Sequence, residues 1–106
     1  VDAFELDELR AQRARAGRLY LEFLRVPALS AGLYVLAAGA EDPQSPHQED
    51  EVYAVLSGRA TIRVGEEDRR IETGSVVYVP ARAEHRFHSI EEELELLVFF
   101  APAEST

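Results

Sequence analysis

The chain has 106 residues, with 11 basic against 20 acidic side chains and a formal net charge of -9. That balance excludes the clustered Lys and Arg with which proteins grip a phosphate backbone. Every basic residue is Arg, and Lys, Asn and Cys are absent, so disulfides, thiolate metal sites and lysine Schiff-base chemistry are excluded as well.

The length suits one domain with one hydrophobic core, divided into a helical arm over residues 1–18 and a β-barrel over 19–106. The opening residues Val1-Asp2-Ala3-Phe4-Glu5 have neither the basic nor the apolar region of a secretory leader. No apolar run approaches the roughly 18 residues that a membrane span needs. The expectation is a cytoplasmic protein with no membrane or nucleic-acid partner.

The arm reads as a helix from a cap at Asp7 to Ala16, with acids Glu5 and Glu8 near its start and Arg10, Arg13 and Arg15 following. That charge order complements the helix dipole, and Gly17 suits the left-handed stop. Apolar spacing is weak beyond Leu6 and Leu9, so the helix is expected on the surface or against a partner subunit.

From Leu19 onward the chain reads as short strands: Leu19 to Val26, Gly32 to Ala38, Val52 to Leu56 and Ala60 to Val64. The last two flank Ser57-Gly58-Arg59, a hairpin-like turn. Arg69 to Glu72, Ser75 to Val79, Arg86 to Ile90 and Leu94 to Phe100 complete the set. Ala40 to Pro46 is a loop, because its two prolines block both helix and central strand. The acidic runs Glu66-Glu67-Asp68 and Glu91-Glu92-Glu93 read as solvated turns. Many short strands with Gly and Pro punctuation predict an all-β barrel or jelly roll. In the last strand Leu94, Leu96, Val98 and Phe100 alternate on one face, while Leu97 and Phe99 make the other face apolar too. A strand apolar on both faces is covered on both sides, which predicts a homodimer burying Leu97 and Phe99.

Only three histidines exist, His47, His85 and His88. His47 and Glu51 are four apart, an even offset that lets both point to one side of an extended chain. His85 arrives from another strand. His88 is three residues further, which sends it to the opposite face. Tyr53 shares the parity of Glu51, and Phe87 and Ser89 that of His85. Tyr34, Tyr53, Tyr78 and Phe87 are thus candidates to line a mostly apolar pocket, and Arg82 and Arg86 fall near its mouth, with Glu84 as their expected partner.

These spacings resemble those of the cupins. The family's first motif is Gly, five residues, His, one residue, His, three or four residues, Glu, six residues, Gly. Here Gly39, Ser45, His47, Glu51 and Gly58 stand at those positions. The second motif is Gly, five residues, Pro, one residue, Gly, two residues, His, three residues, Asn. Here Gly74, Pro80, Arg82, His85 and Ser89 stand there. The resemblance implies a double-stranded β-helix and a mononuclear divalent site of His47, Glu51 and His85. Ser45 replaces the first motif histidine, Arg82 the Gly and Ser89 the Asn.

Two histidines and one carboxylate make a facial triad suited to Fe, and equally to Zn, Mn or Ni. One reading is a metal-dependent enzyme acting on a small organic molecule, by oxygenase, isomerase or decarboxylase chemistry, with Tyr53 or Glu49 handling protons. The others are a small-ligand-binding module that does no chemistry and a metal-free structural barrel.

Overall fold

A computed structural model describes residues 1–43 and 46–105. Ser45, at the first histidine position of the motif, therefore lies outside the described residues. Helix α1 spans Leu6–Ala16. It is followed by strands β1 (Tyr20–Val26), β2 (Leu29–Leu36), β3 (Asp50–Val64), β4 (Glu67–Glu72), β5 (Val76–Val79) and β6 (His85–Ala101). All pairings are antiparallel, in the order β1-β2-β6-β3-β4, with β5 also on β3. No helix among the described residues is long and apolar enough to cross a membrane.

The helix begins two residues earlier than its charge pattern suggests. Glu5 is the N-cap and makes no side-chain capping bond, while Asp7 lies inside the first turn. Asp7 instead accepts from Arg10 at 2.8 Å. The stop is as expected: Gly17 takes φ 65°, and its N–H reaches the carbonyls of Arg13 and Ala14.

Two expected breaks are not breaks. Ser57-Gly58-Arg59 is no turn, and Glu91-Glu92-Glu93 is no loop; β3 and β6 run through them as single bent strands. The register between them slips at Val55/Ser57, Ser57/Arg59 and Arg59/Thr61. Unequal residue counts opposite one another bend a strand without ending it. Gly58 sits at the bend with φ 98°, and a Cβ there would lie 2.2 Å from the Glu93 carbonyl oxygen. The local signal of a hairpin turn was thus the signal of a bulge. At Glu66-Glu67-Asp68 only Glu66 is in the turn, and Glu67 and Asp68 already pair with Val64 and Arg63.

The bend rolls the sheet on itself. Glu51 pairs with Phe100 and His85 with Val64, 13 positions apart along β3. A straight strand would separate those positions by roughly 40 Å, yet the Glu51 and His85 side chains meet at 3.1 Å. Inside the roll lie Tyr34, Tyr53, Ile62, Phe87, Leu96 and Phe100, all at most 5% exposed.

The outer face of β2 and β6 is covered in part by the chain itself. Leu9 of α1 is buried against Leu33 and Val35, with Leu6, Phe23, Leu56 and Leu97 around them. Arg10 grips the Glu95 carboxylate with two bonds, Nε to Oε2 at 2.8 Å and Nη2 to Oε1 at 2.7 Å. The arm therefore packs over part of the face that was expected to meet a second copy, and Leu97 is left partly buried. Phe99 remains partly exposed in a cleft with Phe4, Leu6 and Phe23.

Candidate functional site

Glu51 is the second residue of β3, and strand alternation sends it inward with Tyr53 and Val55. His85 opens β6 on the inward parity shared with Phe87. His47 lies before β3, outside any strand, and its backbone carbonyl accepts the Arg82 N–H. Arg82 holds φ 64°, so it adopts the left-handed conformation of the motif's glycine. One ligand-type atom from each of His47, Glu51 and His85 lies within 4.8 Å of the others. The three side chains are brought together as the resemblance of their motifs implies.

The electrostatics of this cluster are unusual. His85 Nδ1 donates to the Ala83 carbonyl at 2.9 Å, because a carbonyl can only accept. Its Nε2 stands 3.1 Å from Glu51 Oε1, an acceptor, and 3.0 Å from Tyr53 Oη, whose hydroxyl can donate to it. His47 Nδ1 is 3.5 Å from the same Glu51 oxygen. Among the described residues, both Glu51 oxygens and His47 Nδ1 are buried without a hydrogen-bond partner. Acceptors facing acceptors in a dry interior are costly unless a cation or proton lies between them.

The proton affinities agree. Glu51 chiefly, against the opposing effect of burial, raises the His47 pKa above its ordinary value. Burial lowers that of His85, but Glu51 outweighs it and the net direction is upward. Burial would raise the Glu51 carboxyl, yet contact with His47, His85 and Tyr53 holds it below the usual range. The residues present fit a divalent cation: two imidazoles and a carboxylate, a donor set of borderline hardness, with Glu51 and His47 Nδ1 lacking partners among the described residues.

A cavity of about 250 Å³ adjoins His47, walled by Leu19, Tyr34, Pro43, Val98 and Phe100, with Tyr20 and Glu104 as its further polar contributors. Tyr34 lines it as expected, its hydroxyl donating to Asp42 at 2.6 Å. Tyr53 is fully buried, with Oη 3.0 Å from His85 Nε2, and Phe87 packs edge-on against its ring at 4.8 Å. Both belong to the packed interior beneath the cluster rather than to the cavity wall.

Tyr78 is a correction. It is 59% exposed on the outside of β5, its hydroxyl donating to Asp50. Val79 is the buried residue of that strand, so the inward parity is that of Val77 and Val79. Ser89 is likewise exposed and not luminal, because its φ of 50° breaks the alternation after Phe87. His88 lies away from the cluster, as expected, with Nε2 2.8 Å from Asp68. Arg82 and Arg86 make no ion pair with Glu84 among the described residues; the pairs formed there are those of Arg10, Arg25, Arg59, Arg63 and Arg70. Glu49 is buried just before β3, and its Oε2 accepts the Ser105 N–H at 3.1 Å.

Two polar residues of the cavity wall, Tyr20 and Glu104, escape the sequence reading. Tyr20 lies across Gly32 on the neighbouring strand, where a Cβ would come within 2.2 Å of its ring. A lone Gly inside the apolar run of β2 was the available signal, since such a Gly marks close approach of another group. Glu104 carried no signal, because it follows the last strand and has no periodic partner.

A rolled antiparallel sheet with two imidazoles and a carboxylate converging inside it defines a double-stranded β-helix with a candidate mononuclear cation site. A family model described as Cupin domain matches residues 32–101. The uncharacterised protein SCO3923 of Streptomyces coelicolor is 56% identical over 103 residues, covering 97% of this chain and 98% of the relative. The chain belongs to the cupin family. TT1209 from Thermus thermophilus shares the fold with a TM-score of 0.75 and 24% identity, over 97% of this chain and 99% of that one. A Cupin 2 conserved barrel domain protein from Salinispora arenicola does so with a TM-score of 0.74 and 21% identity, over 95% and 88%.

Proposed function

We propose that this chain binds one divalent transition ion (Fe, Zn, Mn or Ni) through His47, Glu51 and His85, and holds a small organic molecule in the cavity beside it. The observation that carries the reading is the set of buried atoms on Glu51 and His47 without hydrogen-bond partners among the described residues, converging with His85 within 4.8 Å. An ion bound there supplies Lewis acidity toward an oxygen of the bound molecule.

The chain's own side chains define what the cavity accepts. Leu19, Tyr34, Pro43, Val98 and Phe100 exclude water and pack an apolar body. Tyr20 Oη is buried with no partner among the described residues, so it is free to bond one polar atom of the ligand. Glu104 on the same wall disfavours a second carboxylate. Tyr53 Oη holds a hydrogen at His85 Nε2 and is the proton-handling candidate, with Glu49 the more remote one. All of these groups come from one chain. A homodimer covering Leu97 and Phe99, which line one partly exposed cleft, is part of this reading, and a monodisperse monomer in light scattering removes it.

The test is metal content. Protein purified without added metal, then reconstituted separately with Fe(II), Zn, Mn and Ni, is measured by elemental mass spectrometry beside His47→Ala and His85→Ala. One equivalent in the parent and a negligible amount in both variants supports the reading. Negligible metal in all three, before and after reconstitution, overturns it.

A further inference from the structure

Of the three converging side chains, His47 alone is not carried on a strand. A loop residue relies on side-chain contacts to hold its ring. On one flank the ring meets Phe100 at a centroid distance of 4.8 Å. On the other it meets a group from far along the chain: His47 Nε2 lies 3.0 Å from Glu104 Oε2.

Glu104 is delivered by a segment that is firmly tied down. Ala103 N–H bonds the Pro27 carbonyl at 3.3 Å. Glu104 N–H bonds Ser30 Oγ at 2.9 Å, and its carbonyl accepts from the Arg25 guanidinium. Ser105 N–H bonds Glu49 Oε2 at 3.1 Å. Three consecutive residues are thereby fixed to β1, the β1–β2 turn, the buried Ser30 of β2 and the segment before β3. In this strap Glu104 also lines the cavity beside His47.

The ring stands between two carboxylates, Glu51 at Nδ1 and Glu104 at Nε2. A carboxylate only accepts, so contact with Glu104 keeps the hydrogen of a neutral ring on Nε2 and leaves the Nδ1 lone pair directed at the cluster. Glu104 does not belong to the ligand group itself, which comprises His47, Glu51 and His85. We infer that Glu104, held by the strap after β6, is a positioning residue that fixes the tautomer and orientation of His47 as a metal ligand. The corresponding service to His85 is performed by the Ala83 carbonyl.

This inference rests on the metal reading above, and the experiment separates the two. Co(II) binding to metal-free protein is followed by its visible absorption and by competition with a chelator, for the parent, Glu104→Ala and Glu104→Gln. In parallel, ¹⁵N NMR of metal-free protein reports which nitrogen of His47 carries the hydrogen. Both substitutions keep the backbone bonds of the strap, so melting curves are expected to superimpose closely on that of the parent. In Glu104→Ala, Co(II) affinity is expected to fall about 10- to 100-fold, with an altered absorption spectrum and a mixed His47 tautomer. Glu104→Gln, which can still accept from Nε2, is expected to recover much of both.

A parent that binds no Co(II) refutes the metal reading and, with it, this role for Glu104. A parent that binds Co(II) with Glu104→Ala equal in affinity and spectrum refutes the inference alone. So does a loss of affinity in Glu104→Ala with the His47 tautomer unchanged.

Discussion

Two buried carboxylates in this barrel live in opposite circumstances. Glu95, on the outer face beneath the helix, receives an N–H on each oxygen from the fork of Arg10, whose remaining nitrogen reaches Asp7. Glu51, on the inner face, has no hydrogen-bond partner for either oxygen among the described residues and faces imidazole nitrogens instead. A satisfied buried charge holds two elements in register, whereas one left open inside a dry fold calls for a ligand. The first cluster fastens the arm to the sheet. The second is where we propose that an ion binds.

The sharpest way to break this contrast is Glu51→Gln. It removes the charge while keeping the shape, so divalent-metal affinity is expected to fall at least about 100-fold, beyond what outer partners usually contribute. Isothermal titration of parent and variant decides it, and equal affinities would place the function of the barrel elsewhere. The metal-free variant is expected to stay folded, because no satisfied bond is lost at Glu51.

The opposite intervention is Leu9→Ala. Leu9 is the one buried side chain of α1 and packs on Leu33 and Val35. Its truncation is expected to cost about 2–4 kcal/mol in urea unfolding, with metal affinity unchanged. A drop in metal affinity at full folding would show that the arm and the cluster are coupled.

A smaller effect is expected at the outer ion pair. Arg10→Ala leaves Glu95 largely buried without its fork, so melting should fall by less than in Leu9→Ala. The double variant Arg10→Ala/Glu95→Ala should recover part of that loss, since no stranded carboxylate remains. If the double variant melts lower than the single one, the pair is not the satisfied unit described here.

The smallest effect concerns Asp68, which His88 first, with Arg63 adding to it, holds below its ordinary carboxyl value. A carboxyl depressed in the folded state adds stability that is present above its unfolded value, near 4, and is lost as pH falls through the folded value. Asp68→Asn is thus expected to reduce stability slightly at neutral pH and to flatten its decline below about pH 4. A variant whose acid unfolding curve matches that of the parent removes this role.

The legible part of the site was the part written in motif spacing and strand parity. His47 and Glu51 share one local segment, and His85 stands at a fixed distance from Gly74 and Pro80, so the resemblance of these two motifs to those of the cupins grouped them. Tyr78 failed the parity reasoning because Val76-Val77-Tyr78-Val79 is apolar at both parities. Only pairing with β3 turned Val79 inward. Tyr20 and Glu104 lie outside both motifs and reach the cavity through contacts with distant parts of the chain.

By itself the sequence determined an all-β roll with a short helix, the absence of thiol and lysine chemistry, and the three side chains that could hold a cation. The first two are consequences of composition and of period-two alternation, which act within a few residues, and the three side chains came from the resemblance of the two motifs to those of the cupins. Tertiary structure decided that two apparent hairpins are bent single strands, that the arm packs over part of the outer face, and that Glu104 meets His47. Each of those outcomes depends on which residues meet across dozens of positions. Such meetings are set by the closure of the sheet and the filling of its two faces, and no local pattern records them.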